Sequence, residues 1–103
     1  MTFAVVWEFE PRPEATLEFE RAYGPEGVWT PLFRRSPDYL GTELLRDLDA
    51  PGRYVTIDRW TSRDAYDRFR AERAVEYGAI DEECEGLTRH EAFVGAFTVT
   101  PEA

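Results

Sequence analysis

The sequence has 103 residues and reads as one domain over residues 1–100, with a short tail at 101–103. Its formal charge is −9, from 12 Lys+Arg against 21 Asp+Glu, and every basic residue is Arg. So acidic a chain lacks the positive surface that nucleic acids and anionic membranes require, and neither is an expected partner. Hydrophobic residues make up 43% and aromatics 15%, enough to build a core and to exclude disorder.

Cys84 is the only cysteine and His90 the only histidine. No intrachain disulfide can form, a His/Cys zinc site lacks ligands, and no metal or cofactor is expected. The opening Met1–Glu8 has no basic stretch ahead of its short apolar run, so a cytoplasmic location is the default expectation.

Phe3, Val5, Trp7 and Phe9 alternate with Ala4, Val6, Glu8 and Glu10, predicting a first strand that Pro11 ends. Pro13 and Glu14 are helix-start residues, and Ala15, Phe19, Ala22 and Tyr23 follow at helical spacing. Gly24-Pro25-Glu26-Gly27 breaks that helix. A short helical piece from Val28 to about Arg35 carries Trp29, Leu32 and Phe33 inward, and Ser36-Pro37-Asp38 is a turn. Tyr39–Arg46 and Tyr54–Trp60 read as strands joined by a hairpin over Asp47–Gly52. Thr61 or Ser62 caps a long helix whose stripe includes Tyr66, Phe69, Arg73, Tyr77, Ile80 and Cys84. Gly78 is placed to bend that helix and Gly86 to end it. Ala92–Val99 is the fourth strand.

The order β-α-β-β-α-β is the split βαβ arrangement of a ferredoxin-like α+β fold: a four-stranded antiparallel sheet with its helices on one face. The uncovered face should be polar in a monomer, yet Ala4, Val6, Val55 and Ile57 lie on it. On the fourth strand the alternation sets Phe93, Phe97 and Val99 against Ala92, Val94 and Ala96. Apolar residues on both faces point to a homodimer that pairs sheet to sheet.

Several segments resemble the antibiotic biosynthesis monooxygenase family. Val5-Val6-Trp7-Glu8-Phe9 with Pro13-Glu14-Ala15-Thr16-Leu17-Glu18-Phe19-Glu20 is similar to its first strand and helix. Pro37-Asp38-Tyr39-Leu40-Gly41 resembles its "pGylg" approach to strand two, and Arg59-Trp60-Thr61-Ser62-Arg63-Asp64-Ala65-Tyr66 its "W-x-S-x-E-A" junction. The resemblance implies a dimeric α/β barrel with a pocket between helices and sheet in each subunit. It also implies cofactor-independent oxidation of a small aromatic or quinone-like metabolite by molecular oxygen. Related haem-degrading members use an Asn, a Trp and a His, whose places here fall on Trp7, Phe69 and near Ala79. A haem role is therefore not implied.

Candidate catalytic residues are His90 as general base, Arg73 as a cation for a phenolate, and Tyr66 as a hydroxyl over the bound ring. Candidate substrate-binding residues are Trp7, Phe69, Tyr77 and Trp60. Each has a plain alternative: the aromatic residues as core packing, Arg73 snorkelling at a rim, and His90 structural or exposed. A non-catalytic dimeric ligand-binding or scaffold protein of the same fold is the second functional reading.

Overall fold

The computed structural model describes residues 2–100; the expected tail at 101–103 lies outside them. Strands β1 (Phe3–Pro11), β2 (Tyr39–Arg46), β3 (Tyr54–Trp60) and β4 (Thr88–Thr98) form one sheet in the order β2-β3-β1-β4. All three pairings are antiparallel, as the ferredoxin-like arrangement requires, and the sheet is open rather than closed within the chain.

Helices α1 (Thr16–Tyr23), α2 (Thr30–Phe33), α3 (Arg63–Glu72) and α4 (Ala74–Cys84) complete the fold. Pro13–Ala15 is a 3-10 turn, so regular α-helix starts three residues after Pro13. Only the middle of the expected Val28–Arg35 segment is helical, where Thr30 turns its hydroxyl back onto the Gly27 carbonyl at 3.0 Å. Ser62 is the cap of α3: its side chain accepts from the Ala65 N–H at 3.1 Å, while Thr61 bonds Asp38 instead.

The long helix breaks at Arg73, not at Gly78, which lies within α4. Arg73 has φ −113° and ψ 25°, yet bonds from the Arg73 N–H to the Phe69 carbonyl and from the Tyr77 N–H to the Arg73 carbonyl carry the chain across the bend. Arg73 is the polar member of an otherwise apolar stripe, and it turns outward to pair with Glu76 at 3.2 Å. Gly86 sits in a 3-10 turn over Glu85–Leu87 without the positive φ of a glycine cap.

β4 starts four residues before Ala92, because Thr88 to Glu91 still pair with the end of β1. It also carries a bulge. Val6 faces Gly95 and Trp7 faces Phe93, leaving Val94 as the extra residue. The bulge overturns simple alternation: Phe93 joins Trp7 on the helix side, with ring centroids 5.4 Å apart, while Phe97 stays on the open face. There it lies across Gly95, where an added Cβ would come within 2.9 Å of its ring. A second shift on β4 skips Arg89, where Glu10 faces His90 and Pro11 faces Thr88, and a third irregularity, at Leu40 on β2, is absorbed by Gly41 at φ 140°.

The core is aromatic and sits between the sheet and α1–α3. At one end Phe19 is fully buried against Phe9, Tyr23 and Tyr54, with centroids 4.7–5.4 Å apart. At the other, Trp60 is fully buried among Phe33, Tyr39, Tyr66 and Phe69. Such contacts add to area burial, so removing one ring costs its transfer energy and leaves a cavity. Phe19→Ala should destabilise the protein by about 3–5 kcal/mol. Leu17→Ala, on the exposed side of the same helix, should stay within about 0.5 kcal/mol. Urea midpoints of the two variants check this contrast.

Candidate functional site

Between the two aromatic clusters, helices and sheet part to leave a cavity of about 60 Å³ open to water-sized centres. One water needs about 10–15 Å³ on that measure, so several waters or part of a ring system fit. β1 supplies Trp7 and β3 supplies Thr56 and Asp58 from the sheet side. The loop and short helix after α1 bring Trp29 and Phe33, and the α3–α4 arm brings Tyr66 and Tyr77. Asp81 of α4 and Glu91 of β4 complete the lining.

Asp58 is the unusual member. Alternation along β3 puts Tyr54, Thr56, Asp58 and Trp60 on the core side, so a carboxylate stands where an apolar residue is normal. Its Oδ1 accepts a hydrogen bond from the Thr42 hydroxyl at 2.5 Å. Because Thr42 spends its proton there, the Tyr39 hydroxyl, 2.5 Å away, donates to Thr42 in turn. The side chain is half-buried and opens on the cavity, and no arginine among the described residues pairs with it. Burial pushes its pKa up to about 6, against a weaker opposing pull from Thr42.

The roof is built from two tyrosines and an arginine. Tyr66 packs edge-on against Trp60 at 5.4 Å, and its hydroxyl accepts from the Arg70 guanidinium at 2.9 Å. That leaves the Tyr66 proton free to donate. Arg70 also lies 4.3 Å from the Tyr77 ring centroid, and Tyr77 in turn packs on Trp29 at 4.8 Å. Burial raises the pKa of both tyrosines, so their hydroxyls are protonated at neutral pH. At the opposite end, burial and then the neighbouring Asp81 raise the Glu91 pKa.

The structure therefore brings together Trp7, Tyr66 and Tyr77 of the residues singled out from sequence. Phe69 and Trp60 lie beneath the cavity as core, at 5% and 0% exposure. Arg73 faces a different surface, beside Glu76 and Arg35. His90 lies on the open face of the sheet, 3.7 Å from Glu8. The residue that sequence reading passed over is Asp58. The available signal was its place among Tyr54, Thr56 and Trp60 on one strand face.

Raising a carboxyl pKa opposes folding once the group must ionise. The folded protein holds the Asp58 proton more tightly than the unfolded chain, so stability falls as pH rises from about 3.8 to about 6 and stays lowered above. Asp58→Asn removes that penalty. Its stability advantage should be negligible near pH 4 and grow to the order of 1–3 kcal/mol by pH 7.5. Paired urea titrations across that range measure it.

No helix among the described residues is long and apolar enough to cross a membrane. No curated protein matches the chain closely enough to count as a relative. Among solved structures it is similar to SnoaB, a cofactor-independent oxygenase from Streptomyces nogalater: 24% identity, 98% of this chain and 95% of that chain covered, TM-score 0.69. It is similar to Rv0793 from Mycobacterium tuberculosis at 25% identity, covering 100% of this chain and 99% of that one, TM-score 0.72. PA3566 from Pseudomonas aeruginosa has the same fold at 14% identity, with 97% and 95% covered and a TM-score of 0.69. Residues 2–77, which carry β1 to β3, α3 and the cavity's aromatic walls, match the antibiotic biosynthesis monooxygenase family, and the chain belongs to that family.

Proposed function

We propose that the cavity binds an electron-rich hydroxyarene and oxidises it with molecular oxygen, Asp58 acting as general base. The observation that carries this reading is the Asp58 carboxylate: half-buried on the core side of β3 and opening on the aromatic cavity, bonded by Thr42 alone among the described side chains, and with its pKa pushed up to about 6. A base poised just below neutrality is matched to proton abstraction at physiological pH. Family membership and the likeness to SnoaB support the same chemistry.

For an anthrone-type phenol, Asp58 takes a proton from the ring methylene made acidic by the adjoining aromatic system. The carbanion passes an electron to dioxygen, and recombination forms a carbon–oxygen bond. The resulting peroxide anion regains the proton from Asp58, and loss of water leaves a ring carbonyl. The balance is CH₂ plus O₂ giving C=O plus H₂O; the substrate supplies all the electrons. Trp7, Trp29 and Phe33 hold the ring and keep water from the carbanion, and the Tyr66 hydroxyl, set by Arg70, donates to the substrate oxygen.

Asp58→Asn should lower kcat/KM for oxygen-dependent turnover by about 100- to 10,000-fold. In the wild type kcat/KM should climb as pH rises through about 6, since the base works ionised. Oxygen-electrode rates with an anthrone, paired with anaerobic controls, read both. Equal turnover without oxygen, or an unaffected Asn variant, would sink the assignment.

The same reading includes a homodimer formed through the open sheet face. Val94, Phe97, Val99 and Leu45 there are 44–48% exposed, and Val6, Val55 and Ile57 lie beside them half-buried. A patch of this kind favours a self-complementary two-fold contact. Glu8–Arg53 and Glu10–Arg89 pairs tie down one end of the face, and a Glu43–Arg59 pair lies toward the other, where Arg59 stands opposite Ala4. Light scattering should give a dimeric mass for the wild type and a monomeric one for Phe97→Glu. A wild-type monomer at micromolar concentration rules the contact out.

A further inference from the structure

We infer that Tyr39 and Thr42 form a hydrogen-bond chain that favours the ionised form of Asp58 and presents one of its oxygens to the substrate; this rests on Asp58 being the oxygenase base. Both are positioning residues, acting through the carboxylate. The chain is built by the irregularity in β2. Tyr39 pairs with Trp60 and Gly41 with Arg59, so Leu40 is an extra residue, 54% exposed. Three residues apart on a regular strand, Tyr39 and Thr42 would point to opposite faces. With Leu40 inserted they share the core side. Tyr39 packs on Phe33 and Trp60, with centroids 5.3–5.4 Å apart, and Thr42 stands opposite Asp58. Gly41 is needed for its φ of 140° rather than for room, since an added Cβ would meet nothing within 4 Å.

The direction of the chain follows from its members. An ionised carboxylate only accepts, so Thr42 commits its one proton to Oδ1 and Tyr39 commits its own to Thr42, each over 2.5 Å. A hydroxyl that accepts one hydrogen bond donates the next more strongly. Burial raises the Tyr39 pKa, so Tyr39 keeps its proton and stays a donor. A proton arriving on Oδ1 would meet the Thr42 proton. The oxygen left to take one from the substrate is Oδ2, which has no hydrogen-bond partner among the described residues.

The other titratable groups around the cavity are Tyr66 of α3, Tyr77 and Asp81 of α4 and Glu91 of β4, with Arg70 behind Tyr66. From β1, Asp58 is faced by Val5 and Trp7, which do not titrate. Arg59 and Glu43 pair with each other on the opposite face of the sheet. Burial raises the proton affinity of Asp58, and the Thr42 hydroxyl is the one contact that lowers it. Removing that hydroxyl leaves the charge without its donor.

Carbon-13 NMR of protein labelled at the aspartate carboxyls reads the Asp58 midpoint without turnover, its signal identified by loss in Asp58→Asn. Wild type should titrate near pH 6. Thr42→Val should move the midpoint up by about one pH unit, Tyr39→Phe by less in the same direction, and Thr42→Ser should leave it in place. In oxygen-electrode assays Thr42→Val should lower kcat/KM roughly tenfold at pH 5.5 and come within about threefold of wild type at pH 8.5, where the carboxyl is ionised again. A loss of equal size at every pH marks packing damage and overturns the inference. An unmoved midpoint in Thr42→Val or Tyr39→Phe, or a Thr42→Ser variant that behaves like Thr42→Val, overturns it too. Circular dichroism checks that each variant folds, and Tyr39→Phe carries the test should Thr42→Val not fold. Shifted midpoints in a protein that takes up no oxygen remove the oxygenase reading alone. Oxygen uptake that depends on Asp58, with midpoints unmoved, removes this inference alone.

Discussion

The helices of this protein are held off the sheet by aromatic rings packed mostly tilted and edge to face, and the rest of the molecule follows from that spacing. Phe9, Phe19, Tyr23 and Tyr54 fill one end of the gap, and Phe33, Trp60, Tyr66 and Phe69 fill the other. Trp29 bridges them from the loop, packing on Tyr23, Phe33 and Tyr77. Rings are rigid and bulky, so two such clusters act as spacers, and the space between them is not closed by short aliphatic chains. The cavity is what remains.

Placing Asp58 in that remnant sets the electrostatic character of the protein. A carboxylate there gives up hydration for one hydroxyl donor, which costs stability and raises its proton affinity. On the opposite face of the sheet the logic reverses. Glu8 is partly exposed and shares Arg53 with Asp47, so its pKa is lowered chiefly by that guanidinium. One sheet thus carries a costly unpaired acid on its inner side and ordinary ion pairs on its outer side. The outer pairs are solvent-screened and add little to stability.

Much of the scaffold was legible in the sequence. The bounds of β2 and β3 coincide with the stretches set by Tyr39–Arg46 and Tyr54–Trp60, because alternation and flanking turn residues specify a strand locally. The family motifs also sit where the elements place them. The site was only partly legible. Tyr66, Tyr77 and Trp7 line the cavity because inward-facing aromatic residues of helix and strand face whatever lies inside. Arg73 and Phe69 share that stripe and do not reach the cavity, because the helix bends at Arg73 and Phe69 drops under Trp60. His90 was attractive only for its intrinsic pKa, which carries no information about position.

The sequence by itself determined the order of elements, the aromatic core, the acidic balance and the family. Those depend on local periodicity and composition, which neighbouring residues encode. The tertiary structure decided which face Phe93 and Phe97 take, since one extra residue at Val94 shifts the pleat. It also decided that the poised acid is Asp58. Proton affinity depends on which groups surround a carboxyl, and here those groups come from β2, β3, α3 and α4, far apart along the chain. A single strand cannot announce that Thr42 will be its neighbour, or that a tyrosine roof will close over it.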